Sequence, residues 1–119
     1  METIEFIKSN FIDKGWHLMQ LISSRGTIEI ISLFCGSTKE YRFTEISRLL
    51  THVGTKTLAT RLKSLEQEGI LTRTAFNEIP PRVEYAITEK GLSLAAAAMP
   101  LIHWIIRMEG GTPLDRFSE

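Results

Sequence analysis

The sequence predicts a mainly α-helical chain with one small β hairpin, an α+β fold class. Leucines recur at i, i+4 and i+7 within residues 58–65, which is the spacing of one face of an amphipathic helix, and Gly69 is a natural end for that helix. A short apolar run over 70–74 and an alternating run over 83–87 are separated by Asn and Pro residues, which indicates a hairpin. Strongly apolar helical patterns lie at both ends of the chain.

A second helix is predicted directly before the amphipathic one. Residues 44–50 have Thr44 as a candidate N-cap and Ile46, Leu49 and Leu50 on the inward face. A short turn at 51–54 joins the pair, as in a helix-turn-helix. A recognition helix over about 54–69 followed by a β wing over about 70–88 makes this a winged helix-turn-helix.

The elements before this unit are less regular. Residues 2–13 form an amphipathic helical stripe, and Gly15 is expected to separate it from a second short helix. A densely apolar helix follows, with Thr27 as its candidate cap and Cys35 on its core face. The favoured interpretation of Cys35 is a small buried hydrophobe, and the alternative is a reactive sensor thiol. Residues 41–43 predict a minimal edge strand.

The last helix begins at Thr88 and is apolar nearly all the way round between 94 and 106. A chain of this size has little with which to cover such a helix, so a second subunit is expected. The first helix is expected either to pack on that subunit or to cover its own core. The predicted homodimer interface comprises Ile4, Ile7, Phe11, Met99, Ile102, Ile105 and Ile106.

Length and composition bound the organisation of the chain. The 119 residues, 43% of them hydrophobic, suit a single domain over 1–119, with dimerisation helices at about 1–14 and 88–110 and a DNA-binding core at about 20–88. One cysteine cannot form an internal disulfide, and no signal pattern is visible, so a cytoplasmic protein is expected. The apolar stretch 92–106 is shorter than the roughly 20 residues of a membrane span, so no membrane association is expected.

Charge is distributed unevenly although the formal net charge is zero. No acidic residue lies between Glu45 and Glu66, whereas four Lys or Arg residues and His52 do. Helical geometry directs Lys56, Thr60 and Lys63 outwards, opposite the leucines. Such a basic, hydroxylated face suits double-stranded DNA. The candidate DNA-binding residues are Thr55, Lys56, Thr57, Thr60, Arg61, Lys63, Ser64 and, in the wing, Arg82.

Residue groupings that carry chemistry are not visible in the sequence. The three histidines are isolated from other metal-ligand residues, so no metal is expected. Paired carboxylates, a nucleophile with its base, and a Gly-rich phosphate loop are also not seen, and neither an enzyme nor a cofactor is expected.

The segment LATRLKSLEQEGILTRTAFNEIPPRVEYAITEKG resembles the HxlR family of transcriptional regulators, which are related to the MarR-type winged helices. The matching features are a Leu-x-x-Arg-Leu-x-x-Leu helix, a Gly-apolar turn and a Pro-Pro-x-Val-Glu-Tyr-x-apolar-Thr wing. Members often carry a Cys-Pro pair before the first core helix, where this chain has Asp13-Lys14. The resemblance therefore implies a regulator without a thiol sensor at that place, and Glu84 as a fold determinant that pairs with Arg61 or Arg73.

The predicted function is a homodimeric, sequence-specific DNA-binding transcriptional regulator that acts on an inverted-repeat operator. The alternative is a winged-helix protein-interaction module of a transcription or replication assembly, which would present an apolar or acidic recognition face. The sequence does not identify a small-molecule effector, the operator or the direction of regulation.

Overall fold

The computed structural model describes residues 2–35 and 39–111. The helices are α1 (Glu2–Phe6), a π-helical segment (Ile7–Ile12), α2 (Asp13–Ser23), α3 (Thr27–Phe34), α4 (Phe43–Leu49), α5 (Thr55–Gln67) and α6 (Glu89–Met108). The strands are β1 (Tyr41–Arg42), β2 (Leu71–Phe76) and β3 (Arg82–Ile87). The predicted class, mainly α with a small β hairpin, is confirmed.

The N-terminal elements form one continuous helical run over 2–23. The predicted break at Gly15 is wrong, and the first predicted dimerisation helix extends well beyond residue 14. A glycine inside a helix costs only about 1 kcal/mol relative to alanine and does not by itself end the helix. The irregularity lies earlier instead, in the π-helical segment, where the Asn10 side chain donates to the Phe6 carbonyl at 3.0 Å.

Helix α3 is buried, as expected, but it does not begin with Thr27 as a cap. Gly26 precedes the helix with φ of +96°, a conformation that side chains strongly disfavour. Thr27 is the first helical residue and is fully buried, and its hydroxyl donates to the Leu21 carbonyl at 2.6 Å. Thr27 therefore fastens α3 to α2. Cys35, at the end of α3, is 4% exposed, which confirms its predicted core position.

Helix α4 begins one residue earlier than predicted, and Thr44 is not its N-cap. Arg42 occupies the cap position, and its backbone N–H donates to the Glu45 carboxylate at 2.8 Å. A carboxylate three residues into a helix is well placed to satisfy that amide, so the cap moves to Arg42. Thr44 lies exposed in the first turn.

The three strands form an antiparallel sheet in the order β1-β3-β2. The predicted edge strand is confirmed, with Tyr41 opposite Tyr85 on β3. The predicted hairpin is confirmed as well, and its ladder runs from Leu71 opposite Ile87 to Phe76 opposite Arg82. The chain therefore turns between β2 and β3 over residues 77–81.

Helix α6 begins where it was predicted, with Thr88 as a true N-cap. The Gly91 amide donates to the Thr88 hydroxyl oxygen at 3.0 Å, and the Thr88 hydroxyl donates to the Gly69 carbonyl at 2.6 Å. Gly91 lies against Ile70 and Ile87, so closely that an added Cβ would clash with both. The start of α6 is thus locked onto the end of the α5–β2 turn.

One hydrophobic core joins α3, α4, α5 and the sheet. The Phe34 and Tyr41 rings pack edge to face with their centroids 5.1 Å apart. The largest fully buried apolar side chains are Phe34, Ile30, Ile31, Ile46, Leu58, Leu62, Leu65, Ile70 and Leu71. This core supports α5 from behind and leaves its opposite face to solvent.

Candidate nucleic-acid interface

The inward face of α5 carries the three predicted leucines. Leu58, Leu62 and Leu65 are each 0% exposed. Gly69 ends the helical region with φ of +76°, and the Ile70 amide donates to the Leu65 carbonyl at 2.9 Å. The amphipathic spacing therefore fixed the rotation of this helix correctly, and its other face is free to contact a ligand.

The outward face of α5 presents lysine ammonium groups and hydroxyls. Lys56, Thr60 and Lys63 are exposed, as is Thr55, whereas Thr57 and Ser64 are half-buried. The Thr60 hydroxyl donates to the Lys56 carbonyl at 3.0 Å, and the Ser64 hydroxyl donates to the Thr60 carbonyl at 3.1 Å. Both hydroxyl oxygens therefore retain lone pairs that can accept hydrogen bonds from base edges.

The first turn of α5 is suited to an anion. Gly54 holds the N-cap position with φ of −61° and ψ of 149°, and no side chain caps the helix there. The first turn contains no acidic residue. Backbone amides at a helix start that are not satisfied by a cap, together with the positive end of the helix dipole, favour a phosphate.

Arg61 is half-buried and holds the recognition helix in place. Its Nε donates to the carbonyl of Arg25 at 2.9 Å. Arg25 is itself exposed, and its Nη2 donates to the carbonyl of His52 in the turn between α4 and α5. The sequence analysis missed Arg25, because both contacts span more than 25 residues and no local spacing reveals them.

The acid-free span of the sequence is not free of carboxylates in space. Glu29 on α3 reaches the turn before α5, and its Oε2 lies 3.3 Å from His52 Nε2. His52 is therefore engaged by a carboxylate. The cationic surface consequently depends on Lys56 and Lys63 of α5 together with the exposed Arg25.

The C-terminal end of α5 is tied to two other helices through Glu68. His17 Nε2 on α2 lies 3.2 Å from the Glu68 Oε1, and Lys90 on α6 donates to the Glu68 carbonyl at 2.8 Å. The hydrogen bond with His17 lowers the pKa of Glu68 below its ordinary value of 4.5, partial desolvation opposes that shift, and Lys90 adds to it. This junction connects the recognition helix to both terminal helices.

Arg82, the predicted DNA contact of the wing, is held within the hairpin. Its Nη2 lies 3.0 Å from Glu78 and its Nε lies 3.4 Å from Glu84, although that Nε geometry is not a hydrogen bond. The guanidinium lies 3.9 Å from the centroid of the Phe76 ring. Arg82 is thus less available to a phosphate than the lysines of α5.

Glu84 does not pair with Arg61 or Arg73, so that expectation is wrong. It lies 3.9 Å from Arg42 of the neighbouring strand β1, in addition to its contact with Arg82. Glu84 therefore links the edge strand to the wing, which agrees with its expected role in the fold. Between the start of α4 and the wing tip lies an open groove of about 500 Å³.

Metal-ligand side chains do not converge within the described ranges 2–35 and 39–111. No group of three or more His, Cys, Asp or Glu side chains there could hold a metal ion. The arrangement of the α5 face consists of fixed hydrogen-bond donors, acceptors and cations. Chemically, such a surface binds a polyanion and reads its edges.

Comparison with known proteins decides the family. A profile described as HxlR-like helix-turn-helix matches residues 21–110. The chain belongs to the HxlR family. The uncharacterized HTH-type transcriptional regulator YtcD of Bacillus subtilis is 33% identical over 90 residues, which cover 70% of this chain and 71% of that protein. The uncharacterized HTH-type transcriptional regulator YtfH of Escherichia coli is 34% identical over 88 residues, 74% of this chain and 68% of its own length.

Solved structures confirm the winged-helix fold of this HxlR-like protein. The reduced form of the transcriptional regulator YodB from Bacillus subtilis superposes with a TM-score of 0.66 and 33% sequence identity. The match covers 80% of this chain and 91% of YodB. The family and these relatives are transcriptional regulators rather than enzymes. The HxlR-like chain is accordingly a DNA-binding transcriptional regulator, as predicted.

Both terminal helices of this HxlR-like chain expose large apolar side chains. No residue within 2–23 is buried. Of the predicted dimer residues, Ile4 is 69% exposed and Ile7, Phe11 and Ile105 are each close to half exposed. Ile102 and Ile106 are half-buried, and Met99 packs against the core of its own chain. Further exposed apolar residues that the prediction omitted are Phe6, Ile12, Trp16, Met19, Leu92, Leu101, Trp104 and Met108.

Helix α6 is longer than the apolar stretch considered in the sequence. Its 20 residues have a mean hydropathy of 1.4, so length and composition alone would allow it to cross a membrane, and 22% of the apolar window is buried. A single helix of this kind is also found in the cores of proteins that do not enter membranes, so it does not by itself indicate a membrane protein.

Proposed function

We propose that this HxlR-like regulator acts as a homodimer that binds an inverted-repeat operator through α5 and the wing. The observation that carries the proposal is the outward face of α5, where Lys56, Thr60 and Lys63 are exposed and no carboxylate intervenes. A basic face with hydroxyls is suited to phosphates and base edges in the major groove.

The α5 side chains are proposed to have different roles. Thr55, Lys56, Thr57 and Thr60 lie in the first half of the helix, which enters the groove deepest and contacts bases. Lys63 and Ser64 lie further along and contact the phosphate backbone. Arg61 holds the helix through Arg25 and has further N–H groups for a phosphate. Arg82 contributes from the wing, within the limits that its two carboxylate partners set.

The homodimer is supported by the uncovered apolar surface of the two terminal helices. The radius of gyration of 16.2 Å exceeds the roughly 13.5 Å of a compact chain of this length, because the run over 2–23 extends from the core. Extended helices with exposed Phe, Trp and Ile side chains are stable in water when another subunit covers them. A second copy of this chain, related by a two-fold axis, presents the same apolar surface.

A cytoplasmic location is proposed on the same basis, since the proposed partner is double-stranded DNA. In this arrangement the apolar surface of α6 is buried against a second subunit rather than in lipid. The proposal requires no metal, cofactor or catalytic group.

Selection of duplexes from a random pool tests the proposed function. The wild-type chain should enrich a sequence whose two halves form an inverted repeat, with half-sites about one helical turn apart. The matched control is the double variant Lys56→Ala and Lys63→Ala, which alters two exposed side chains and should enrich no sequence. If wild type and control enrich the same pool to the same extent, α5 is not the reader. The protein-interaction alternative would then take precedence.

A further inference from the structure

We propose that the wing of this protein contacts DNA through the apolar side chain of Ile79 at its tip, inserted at the minor groove beside each half-site. The inference rests on the proposed function, because it assumes that α5 binds the adjacent major groove. It assigns the wing contact to a hydrophobic residue rather than to the wing arginine that the sequence favours.

Ile79 is the most exposed large hydrophobic side chain in the described part of the chain. Its exposure is 102%, against 69% for Ile4, which is the next highest. The side chain therefore contributes nothing to the hydrophobic core. An isoleucine held fully in water at the end of a hairpin gains free energy from any apolar surface that it meets.

The tip that carries Ile79 is short and anchored on both sides. The β2–β3 ladder closes with Phe76 opposite Arg82, and the Glu78 amide donates to the Phe76 carbonyl at 2.9 Å. Stacking of the Arg82 guanidinium on the Phe76 ring covers the base of the tip. Pro80 and Pro81 follow Ile79 directly, and each has a fixed φ and no N–H. Ile79 thus projects from a tip whose backbone has little freedom.

The tip offers no unpaired charge to a phosphate. Glu78 and Arg82 neutralise each other at 3.0 Å. The Arg82 guanidinium is drawn back from the tip towards Phe76 and Glu84. Over residues 70–88 the two arginines balance the two glutamates. Attraction of this wing to DNA is therefore not electrostatic, and the contact that it can make is apolar.

The minor groove is the surface that fits such a tip. It is about 6 Å wide, its walls are deoxyribose rings, and apolar side chains such as Ile and Pro are known to insert there. The wing leaves α5 through the turn at Gly69, where the Ile70 amide donates to the Leu65 carbonyl. This direct connection places the tip beside the major-groove segment that α5 reads, on the flank of the half-site.

Binding titrations at several salt concentrations test the assignment, using the duplex selected by the wild-type protein. Ile79→Ala should weaken binding about tenfold, since it removes apolar contact area, and should leave the salt slope unchanged. Ile79→Leu should bind within about threefold of wild type, because it keeps a side chain of similar volume. Asn77→Ala, at a neighbouring exposed position of the tip, is the matched control and should bind as wild type does.

Hydroxyl-radical footprinting supplies a second readout. Wild type should protect sugars at the flank of each half-site, and Ile79→Ala should lose that protection while the protection at the centre persists. All variants should unfold at the wild-type temperature, because Ile79 is fully exposed. Unchanged affinity and footprint for Ile79→Ala would overturn the inference but leave the proposed function intact, and a salt slope reduced by about one would assign the contact to charge instead. A wild-type protein that prefers no duplex would overturn both.

Discussion

The Nε of Arg61 donates a hydrogen bond to the carbonyl oxygen of Arg25 at 2.9 Å, and this bond attaches the middle of the recognition helix to the turn before α3. The Arg25 side chain in turn donates to the His52 carbonyl at 3.0 Å. Two arginines thereby connect α5, the turn before it and the start of α3. A residue that simple spacing assigns to DNA contact is also part of the scaffold.

Arg61→Ala should therefore affect both stability and binding. Loss of the hydrogen bond to the Arg25 carbonyl should lower the free energy of unfolding by about 1–2 kcal/mol. DNA binding should weaken for specific and scrambled duplexes alike, because the helix is held less firmly. Thermal unfolding and duplex titration measure the two effects.

The control for Arg61→Ala is Lys56→Ala, which removes an exposed cation from the same helix. It should leave the unfolding temperature unchanged and weaken binding at particular base pairs. If the two variants were equally stable, the bond to Arg25 would carry no structural weight.

Gly91→Ala should destabilise the protein by about 1–3 kcal/mol, as overpacking typically does. An alanine Cβ would lie 2.6 Å from Ile87 Cγ1 and would also clash with the backbone carbonyl of Ile70, neither of which can move without disturbing the start of α6. Gly54→Ala is the matched control, since no atom lies within 4 Å of a Cβ there. Chemical denaturation should separate the two variants, and equal midpoints would show that α6 can shift to accept a side chain.

The Glu68 junction predicts a dependence of stability on pH. The pKa of Glu68 is lowered in the folded protein, chiefly by the hydrogen bond with His17, so its contribution is present above the ordinary value of 4.5 and is lost as pH falls through the folded pKa. Glu68→Gln should therefore be less stable than wild type near pH 7. The difference should shrink as the pH falls below about 4.5.

Unfolding temperatures measured from pH 7 to pH 3 test this dependence. Glu66→Gln is the control, because it removes an exposed carboxylate two residues away. A Glu68→Gln difference that stayed constant across this range would show that the carboxylate charge is not involved.

The parts of the structure that the sequence predicted correctly depend on local spacing. Leu58, Leu62 and Leu65 fix the helix and its buried face because helical neighbours are three or four residues apart. Gly69 ends the helical region with a positive φ, and alternating residues over 83–87 fix the strand of the wing. Each of these signals lies within one turn or one strand, so no knowledge of the rest of the chain is needed.

The errors arise where two local signals compete or where distant residues meet. Thr44 is a good cap in isolation, but the Glu45 carboxylate captures the amide of Arg42 and moves the helix start. Gly15 is a weak helix former, but its cost is too small to break a long helix. The contacts of Glu84 with Arg42, and of Glu29 with His52, join different elements and leave no trace in the spacing of the sequence.

Ile105→Glu should disrupt the proposed homodimer. Ile105 is 48% exposed on α6, in the apolar surface that a second subunit would cover. A carboxylate buried there without a partner should weaken association by several kcal/mol. Sedimentation at micromolar concentration should give about twice the 13.5 kDa chain mass for wild type and the single chain mass for the variant.

Leu49→Glu is the control for the dimer prediction. Leu49 is 57% exposed but lies on α4, outside the terminal helices, so this variant should sediment as the wild type does. A wild-type chain that remained monomeric at this concentration would refute the dimer.

The salt dependence of duplex binding tests the central claim most directly, that the outward face of α5 reads DNA. Wild type, Lys63→Ala, Thr60→Ala and Lys56→Ala are each titrated against the selected operator and a scrambled duplex at several salt concentrations. The account predicts that Lys63→Ala weakens both duplexes alike and lowers the salt slope by roughly one, and that Thr60→Ala and Lys56→Ala lose about 1–3 kcal/mol on the operator alone. Unchanged affinity in all three variants would contradict it.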